Sequence, residues 1–320
     1  MRCAYRIALC CSLLLVIPLY LLERHLADLS DQYHAGTYLL DWLGNKNPQQ
    51  NKWPVYKDNT NDKVIVMARL EEEPVNWVRE ELPDWQTAMY TVNPSSSTLA
   101  NNHRLKTPLN KGHESMAYLT YLIDHYDRLP STIAFIHAHR TGFLMAWHVD
   151  APMHDNAAAL RALQLDFVQR EGYVNLRCNR NPGCMETGKP NQHVTEEIFT
   201  EIFGGTSTPP LNATTSPAQS QSDSNEDPLQ PNNTKQKLTP IPFPTQISTA
   251  CCAQFAVSRA QVHQRPREDY IQIRQWVIDT ELSDAASGRV MEYLWHVVFG
   301  RDGVFCPDEE LCYCQVYGQC

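Results

Sequence analysis

Several familiar signatures are missing from this chain of 320 residues. No cluster of Lys or Arg stands out, and the net charge is −9 with a pI near 5.7. A nucleic-acid backbone is bound through concentrated positive charge, so the composition argues against nucleic acid as a partner. There is no GxSxG elbow, HExxH helix, P-loop or GxGxxG after a strand, which removes the common motif-borne routes to an activity. Paired CxxC spacing is absent too; Cys312-x-Cys314 does not suit a zinc ribbon or finger. No internal repeat is visible. What is present is an ordinary globular mixture, 42 % hydrophobic and 20 % charged, with enough apolar material for a core.

The longest apolar run is at residues 7–22 (IALCCSLLLVIPLYLL). Sixteen residues at about 1.5 Å each span about 24 Å, a little less than a ~30 Å hydrocarbon core. Residues 3–6 lengthen it, because Arg6 can snorkel to the interface. So short an anchor suits the thinner membranes of the early secretory pathway. Arg2, Arg6 and the free amine precede the run, whereas Glu23, Arg24, Asp28 and Asp31 follow it. The positive-inside bias then leaves the N-terminus in the cytosol and translocates the rest. A cleaved signal peptide is the competing reading, but the following ERHLADLSD offers no good small-x-small site. Cysteine usage agrees with translocation. Cys3, Cys10 and Cys11 lie in or beside the run, and the other eight form an even set that reads as a disulfide framework of open connectivity.

The expected organisation is a cytosolic tail (1–6), a signal-anchor (7–22), a polar stem (23–62) and a luminal α/β domain (63–320). Residues 64–67, 132–136 and 253–258 read as strands. Residues 110–128, 156–170, 195–203, a segment opened by Pro266, and 287–299 read as helices with apolar positions three and four apart. Alternation of helix and strand predicts an α/β sandwich around a largely parallel sheet. Residues 206–245, rich in Pro, Ser, Thr, Asn and Gln, read as a disordered insertion, with sequons at Asn212 and Asn232. The tail CPDEELCYCQVYGQC reads as a cysteine-stapled cap.

Candidate chemistry centres on FIHAHRTGFLMAWHVD. His137 and His139 fall two apart at the end of an apolar strand, and His148 and Asp150 repeat that spacing. Ligands of parallel α/β sheets bind beyond the carboxyl ends of the strands. Three imidazoles and a carboxylate there could ligate Zn²⁺ or Mn²⁺; hydrogen-bonded structural histidines are the alternative. Arg140 suits a phosphate or carboxylate, and Lys111 could add charge at a helix N-terminus. Asn110 and Glu114 read as capping residues of that helix. Glu292 and His296, four apart, could be a catalytic carboxylate with a supporting imidazole, or an ordinary surface pair. Glu71-Glu72-Glu73 reads as a solvated turn, and paired thiols leave no cysteine nucleophile.

Several blocks carry a family resemblance: NKGHESMAYLTYLIDHYDRLP, FIHAHR, WHVD, CCAQFAVSR, EYLWHVVFG and CPDEELCYC. Together, over residues 63–318 without the insertion, they resemble the largely fungal family catalogued as domain of unknown function 3431, which has no established activity. Its pattern is similar to that of nucleotide-sugar glycosyltransferases of the A-type fold. The resemblance implies a glycosyltransferase-A-like, mixed but mostly parallel sheet flanked by helices, behind one N-terminal transmembrane helix. It also implies a Golgi type II enzyme with a nucleotide-sugar donor and a glycan acceptor. The acidic DxD motif of those enzymes falls at His137-Ala138-His139, where imidazoles lack the charge and hardness of carboxylates. Under this expectation His137, His139, His148 and Asp150 organise Mn²⁺, Zn²⁺ or donor phosphates. Lys111 and Arg140 add positive charge, and Glu292 activates or orients the acceptor. Two alternatives stand beside it: a metal-dependent hydrolase with a zinc-bound water on the same histidines, and a non-catalytic carbohydrate- or protein-binding module.

Overall fold

The β-branched run Val64-Ile65-Val66 lies in the first strand of a five-stranded sheet. The computed structural model describes residues 2–44, 53–55, 62–100, 105–184, 193–204 and 241–320, with side chains from residue 16 onward. The strands are β1 (Lys63–Arg69), β2 (Gln86–Thr91), β3 (Thr132–Phe135), β4 (Tyr173–Asn175), β5 (Ser248–Thr249), β6 (Phe255–Ser258) and β7 (Val304–Phe305). The large sheet has the order β2-β1-β3-β6-β4; β1 runs parallel to β2 and β3, and β6 runs antiparallel to both β3 and β4. One strand of five is therefore reversed. β5 and β7 pair separately.

Both faces of this sheet are buried, as parallel strands covered by helices require. Val64, Val66, Ile133, Phe135, Phe255 and Val257 enter one core, shared with the helices Ser115–His125, Glu196–Phe203, Arg267–Asp279 and Asp284–Glu292. Ile65, Met67, Ala134 and Ala256 enter the other, covered by Asn76–Glu81, Asn156–Ala162, Leu165–Glu171 and Glu309–Tyr317. This is the expected mixed α/β sandwich around a mostly parallel sheet.

Three expected helices differ in detail. The one read from 110 begins at Ser115, because Gly112 (φ 75°) and His113 (φ 50°) make a left-handed turn before it. At Gly112 a Cβ would sit 2.5 Å from Val277 Cγ1. The helix read over 156–170 is two, since Leu163 and Gln164 are extended and the Gln164 N–H donates to Val316 O at 2.9 Å. The last is also two, Asp284–Glu292 and Trp295–Val298, with the Tyr293 N–H closing on Met291 O. The cysteine-rich tail adds the helix Glu309–Tyr317.

Residues 23–44, about half of the expected stem, are helical apart from a turn at Tyr33 and His34. They belong to Arg2–Gln32 and Ala35–Gly44 and lie against the domain. Asn181 Nδ2 donates to Asp28 Oδ1 at 2.9 Å, Arg177 Nη2 donates to Gln32 O at 2.8 Å, and the Tyr38 and His154 rings stack at 4.9 Å. Among the described residues no helix is long and apolar enough to cross a membrane. Over 7–15 the side chains of the apolar run lie outside the described set, as do both sequons.

The eight domain cysteines pair as Cys178–Cys312, Cys184–Cys306, Cys251–Cys252 and Cys314–Cys320. The first two tie the tail to the segment leaving β4. Replacing Cys178 and Cys312 together by Ser should destabilise the domain by about 2–5 kcal/mol, read as a lower urea midpoint. An unchanged midpoint would show that this bridge does not constrain the fold.

Candidate functional site

β3 ends between the two cores, and the chain leaving it alternates sides. Ala138 is buried in the same core as Ile136, and its carbonyl accepts from Trp77 Nε1 at 3.1 Å. The His137 N–H donates to Gln254 Oε1 at 2.9 Å, which fixes the backbone where the histidines emerge. The His137 and His148 rings meet edge to face, centroids 4.3 Å apart. Neither Nε2 has a hydrogen-bond partner, and His148 is buried. Burial, with the neighbouring charge of His139 and His113, lowers the His137 pKa to about 4. Burial and His137 likewise push His148 well below the usual imidazole range. Both rings are neutral at pH 7. His139 lies apart from them, its Nε2 3.6 Å from Glu73 Oε1.

Two carboxyl groups complete the cluster. Glu114 stands immediately before the helix Ser115–His125 and makes no side-chain capping bond. Its Oε2 lies 4.0 Å from His137 Nε2. Burial, aided by the nearby charge of Glu292, raises its pKa to about 8, so it holds its proton at neutral pH. Glu292 is buried and accepts from the Cys252 N–H at 2.7 Å and from Arg289 Nη1 at 2.6 Å. Burial raises its pKa, against the opposing pull of Arg289 and the Cys252 N–H. That N–H is aimed by a left-handed Cys252 (φ 89°). His113 closes the edge: its N–H donates to Asp284 Oδ1 at 2.9 Å, and its ring lies over Gly288, where a Cβ would come 2.9 Å from Cγ.

The remaining sequence candidates are placed elsewhere. The buried Asp150 accepts from the N–H groups of Cys178 (2.5 Å) and Asn179 (2.9 Å) and faces His34 (3.4 Å) and Arg177 (3.7 Å). Burial alone would raise its pKa; His34, Arg177 and the Asn179 N–H outweigh that and hold it low. Lys111 donates to the carbonyls of Ile278 (3.1 Å) and Thr280 and so satisfies the C-terminus of the helix Arg267–Asp279. Arg140 is bound by Glu81 and by Asp155 at 3.2 Å. His296 is fully buried, its Nε2 3.0 Å from Gly303 O, and burial lowers its pKa to about 4. It does not pair with Glu292, because the helix breaks between them.

His137, His139, His148 and Asp150 thus do not converge. Among the described residues, only Cys251, Cys252 and Glu292 bring three potential metal-ligand atoms within 4.8 Å of one another, and the two sulfurs are bonded together. Glu71, expected in a solvated turn, instead accepts from Ser95 Oγ at 2.9 Å and binds Thr98 Oγ1. Glu114 and His113 are the functional candidates that pattern reading passed over. Their only sequence signal is a Gly-His-Glu triplet before a helix, which capping explains equally well.

These shifts fix a pH dependence. Glu114 keeps its proton to a higher pH in the native state than in the unfolded chain, so its contribution is complete below pH 4.5 and lost as pH rises through about 8. His137, held neutral, contributes above pH 6.5 and loses that contribution as pH falls through about 4. Glu114→Gln should therefore flatten the alkaline decline of the urea midpoint and leave the acid limb in place. A variant that follows the wild-type profile across both limbs would contradict the protonated Glu114.

No curated protein and no solved structure matches the chain. The family described as "Protein of unknown function (DUF3431)" matches it over residues 65–315, a span that holds all of the large sheet but Lys63 and Val64 and includes the His137–Glu114–Glu292 cluster, and the chain belongs to that family.

Proposed function

We propose that this chain is a glycosyltransferase-like enzyme of the secretory pathway, attached to a membrane through its N-terminal helix. The basic-before-acidic flanks of the apolar run and the four disulfides support that setting. A mostly parallel sheet with one reversed strand is compatible with the A-type glycosyltransferase plan that the sequence blocks resemble. The observation that carries the chemistry is Glu114, a half-buried carboxyl group 4.0 Å from His137 Nε2 that burial and the charge of Glu292 keep protonated at neutral pH.

Glycosyl transfer to a hydroxyl needs one group to take the acceptor proton and another to protonate or shield the leaving oxygen. Glu292, oriented by the Cys252 N–H and Arg289, serves as the base; Glu114 serves as the acid. Burial and the charge of Glu292 keep the proton on Glu114 over the neutral range. The A-type fold also implies a divalent ion held by carboxylates. The residues here do not fit one, since Asp150 is spent on backbone N–H groups and Arg177 while three imidazoles remain. No step of this scheme passes through a metal.

A second reading, hydrolysis of a glycoside by the same carboxyl pair, is favoured by the engagement of Lys111 and Arg140 elsewhere, which leaves few cations for a diphosphate. Full-length protein in detergent, offered nucleotide sugars with and without Mn²⁺ and a panel of aryl glycosides, separates the two. Glycosyl transfer that survives EDTA and drops about 10²–10⁴-fold in Glu114→Gln or Glu292→Gln is the expected result. Turnover of aryl glycosides without donor binding would favour hydrolysis. Absence of any binding or turnover would leave neither reading standing.

A further inference from the structure

The helix Ala35–Gly44 is oriented the wrong way for a protein that meets only water. A surface helix normally turns its apolar stripe inward. Here Leu39, Leu40, Trp42 and Leu43 point outward, between 53 and 69 % exposed. The inward face carries Tyr38 on the His154 ring and the helix's one charged residue, Asp41. A second segment extends the same surface. Phe143 packs on Tyr38 at 5.1 Å and on Tyr33 at 5.9 Å, and the next two residues, Leu144 and Met145, are 72 % and 58 % exposed.

We infer that this face rests on a lipid bilayer, with the helix Ala35–Gly44 lying in the interface and the 143–145 loop dipping beside it. Three observations choose lipid over a second copy of the chain. The patch follows the helix Arg2–Gln32, whose residues 7–22 form the apolar run, after a two-residue turn at Tyr33 and His34. The described part of that helix's apolar run is uncovered all round: Val16, Ile17, Leu19, Tyr20, Leu21 and Leu22 are each 52–65 % exposed. These apolar residues occupy every face of the helix, as contact with lipid requires, whereas a single partner helix needs one apolar face. Finally, Trp42 sits in an uncharged face of Leu and Gly, the composition that partitions to the headgroup boundary.

The inference rests on the membrane attachment proposed above and is independent of the chemistry at Glu114. It replaces a domain held off the membrane on a stem with one lying directly against the surface. The aromatic stack of Tyr33, Tyr38, Phe143 and His154 fixes its tilt.

Full-length chain and its Trp42→Phe variant, reconstituted in phosphatidylcholine vesicles with or without brominated acyl chains, test it. Flotation reads attachment, and tryptophan quenching reads the patch. Both chains should float. The wild-type chain should lose a larger fraction of its emission to the brominated lipid than the variant does, the difference being one tryptophan of seven. The exposed pair Leu144→Glu with Met145→Glu should float and show reduced quenching of Trp42. Equal quenching of wild type and Trp42→Phe in floating vesicles would overturn the inference while leaving attachment intact, including when the patch cross-links two copies. Failure to float would overturn both.

Discussion

The candidate site depends on how β3 leaves the sheet. A strand buried on both faces must send successive side chains to opposite cores, and β3 does so: Ile133 and Phe135 one way, Ala134 and Ile136 the other. Continued past the strand, that alternation buries Ala138 among the second core's residues and turns His137 to the side of the helix Ser115–His125, where Glu114 stands. The reversed β6 supplies the rest. Because it runs antiparallel, with Phe135 opposite Phe255, its beginning lies beside the end of β3. Gln254 therefore reaches the His137 N–H, and Cys252 arrives next to Glu292. A parallel strand at this place would bring Ser258 instead.

Asp150, with a fully buried side chain, and the half-buried Glu114 show how surroundings, more than burial, decide whether an acid keeps its proton. Asp150 and Glu114 both lose water. Asp150 receives two backbone N–H groups, an imidazole and the Arg177 guanidinium, and stays ionised. At Glu114, beside a neutral His137, burial and the charge of Glu292 outweigh its own backbone N–H, so it keeps its proton. A protonated carboxyl group 4.0 Å from an imidazole nitrogen that has no hydrogen-bond partner has the makings of a proton-exchange pair.

The α/β architecture was legible because it is written in local periodicity. Val64-Ile65-Val66 and the apolar spacing of 116–126 point to their elements without knowledge of the partners. Helix breaks were less legible. Leu163-Gln164 is as helix-compatible as its neighbours, and what ends the helix is a hydrogen bond from Gln164 to Val316, about 150 residues away. The site was half legible for the same reason. His137 and His148 were expected together and do meet, since strand ends and short loops constrain them. Asp150 follows the same two-residue spacing but is drawn off by the backbone of 178–179, and nothing in WHVD announces that tertiary competitor. Glu292 looks like a surface residue of a continuous helix. Only the vicinal cysteines of a distant segment make it a buried, hydrogen-bonded acid.

The displacement of Asp150 joins the two halves of the molecule. It faces His34 at the turn between the N-terminal helices and Arg177, which itself bonds Gln32 O. It also holds the N–H of Cys178, whose sulfur is bridged to the C-terminal helix at Cys312. One carboxylate thus links the N-terminal helices, the exit of β4 and the tail. Two residues earlier, His148 lies against His137 in the candidate site. The short segment 148–150 is therefore fastened at one end to the element that carries the apolar surface and at the other to the acid–base cluster. Movement of the N-terminal helices relative to the domain would have to strain or break that clamp, so the cluster and the proposed membrane face are held in a fixed relation. Under the proposed function and membrane placement, such a relation would set the height at which Glu114 and Glu292 stand above the lipid.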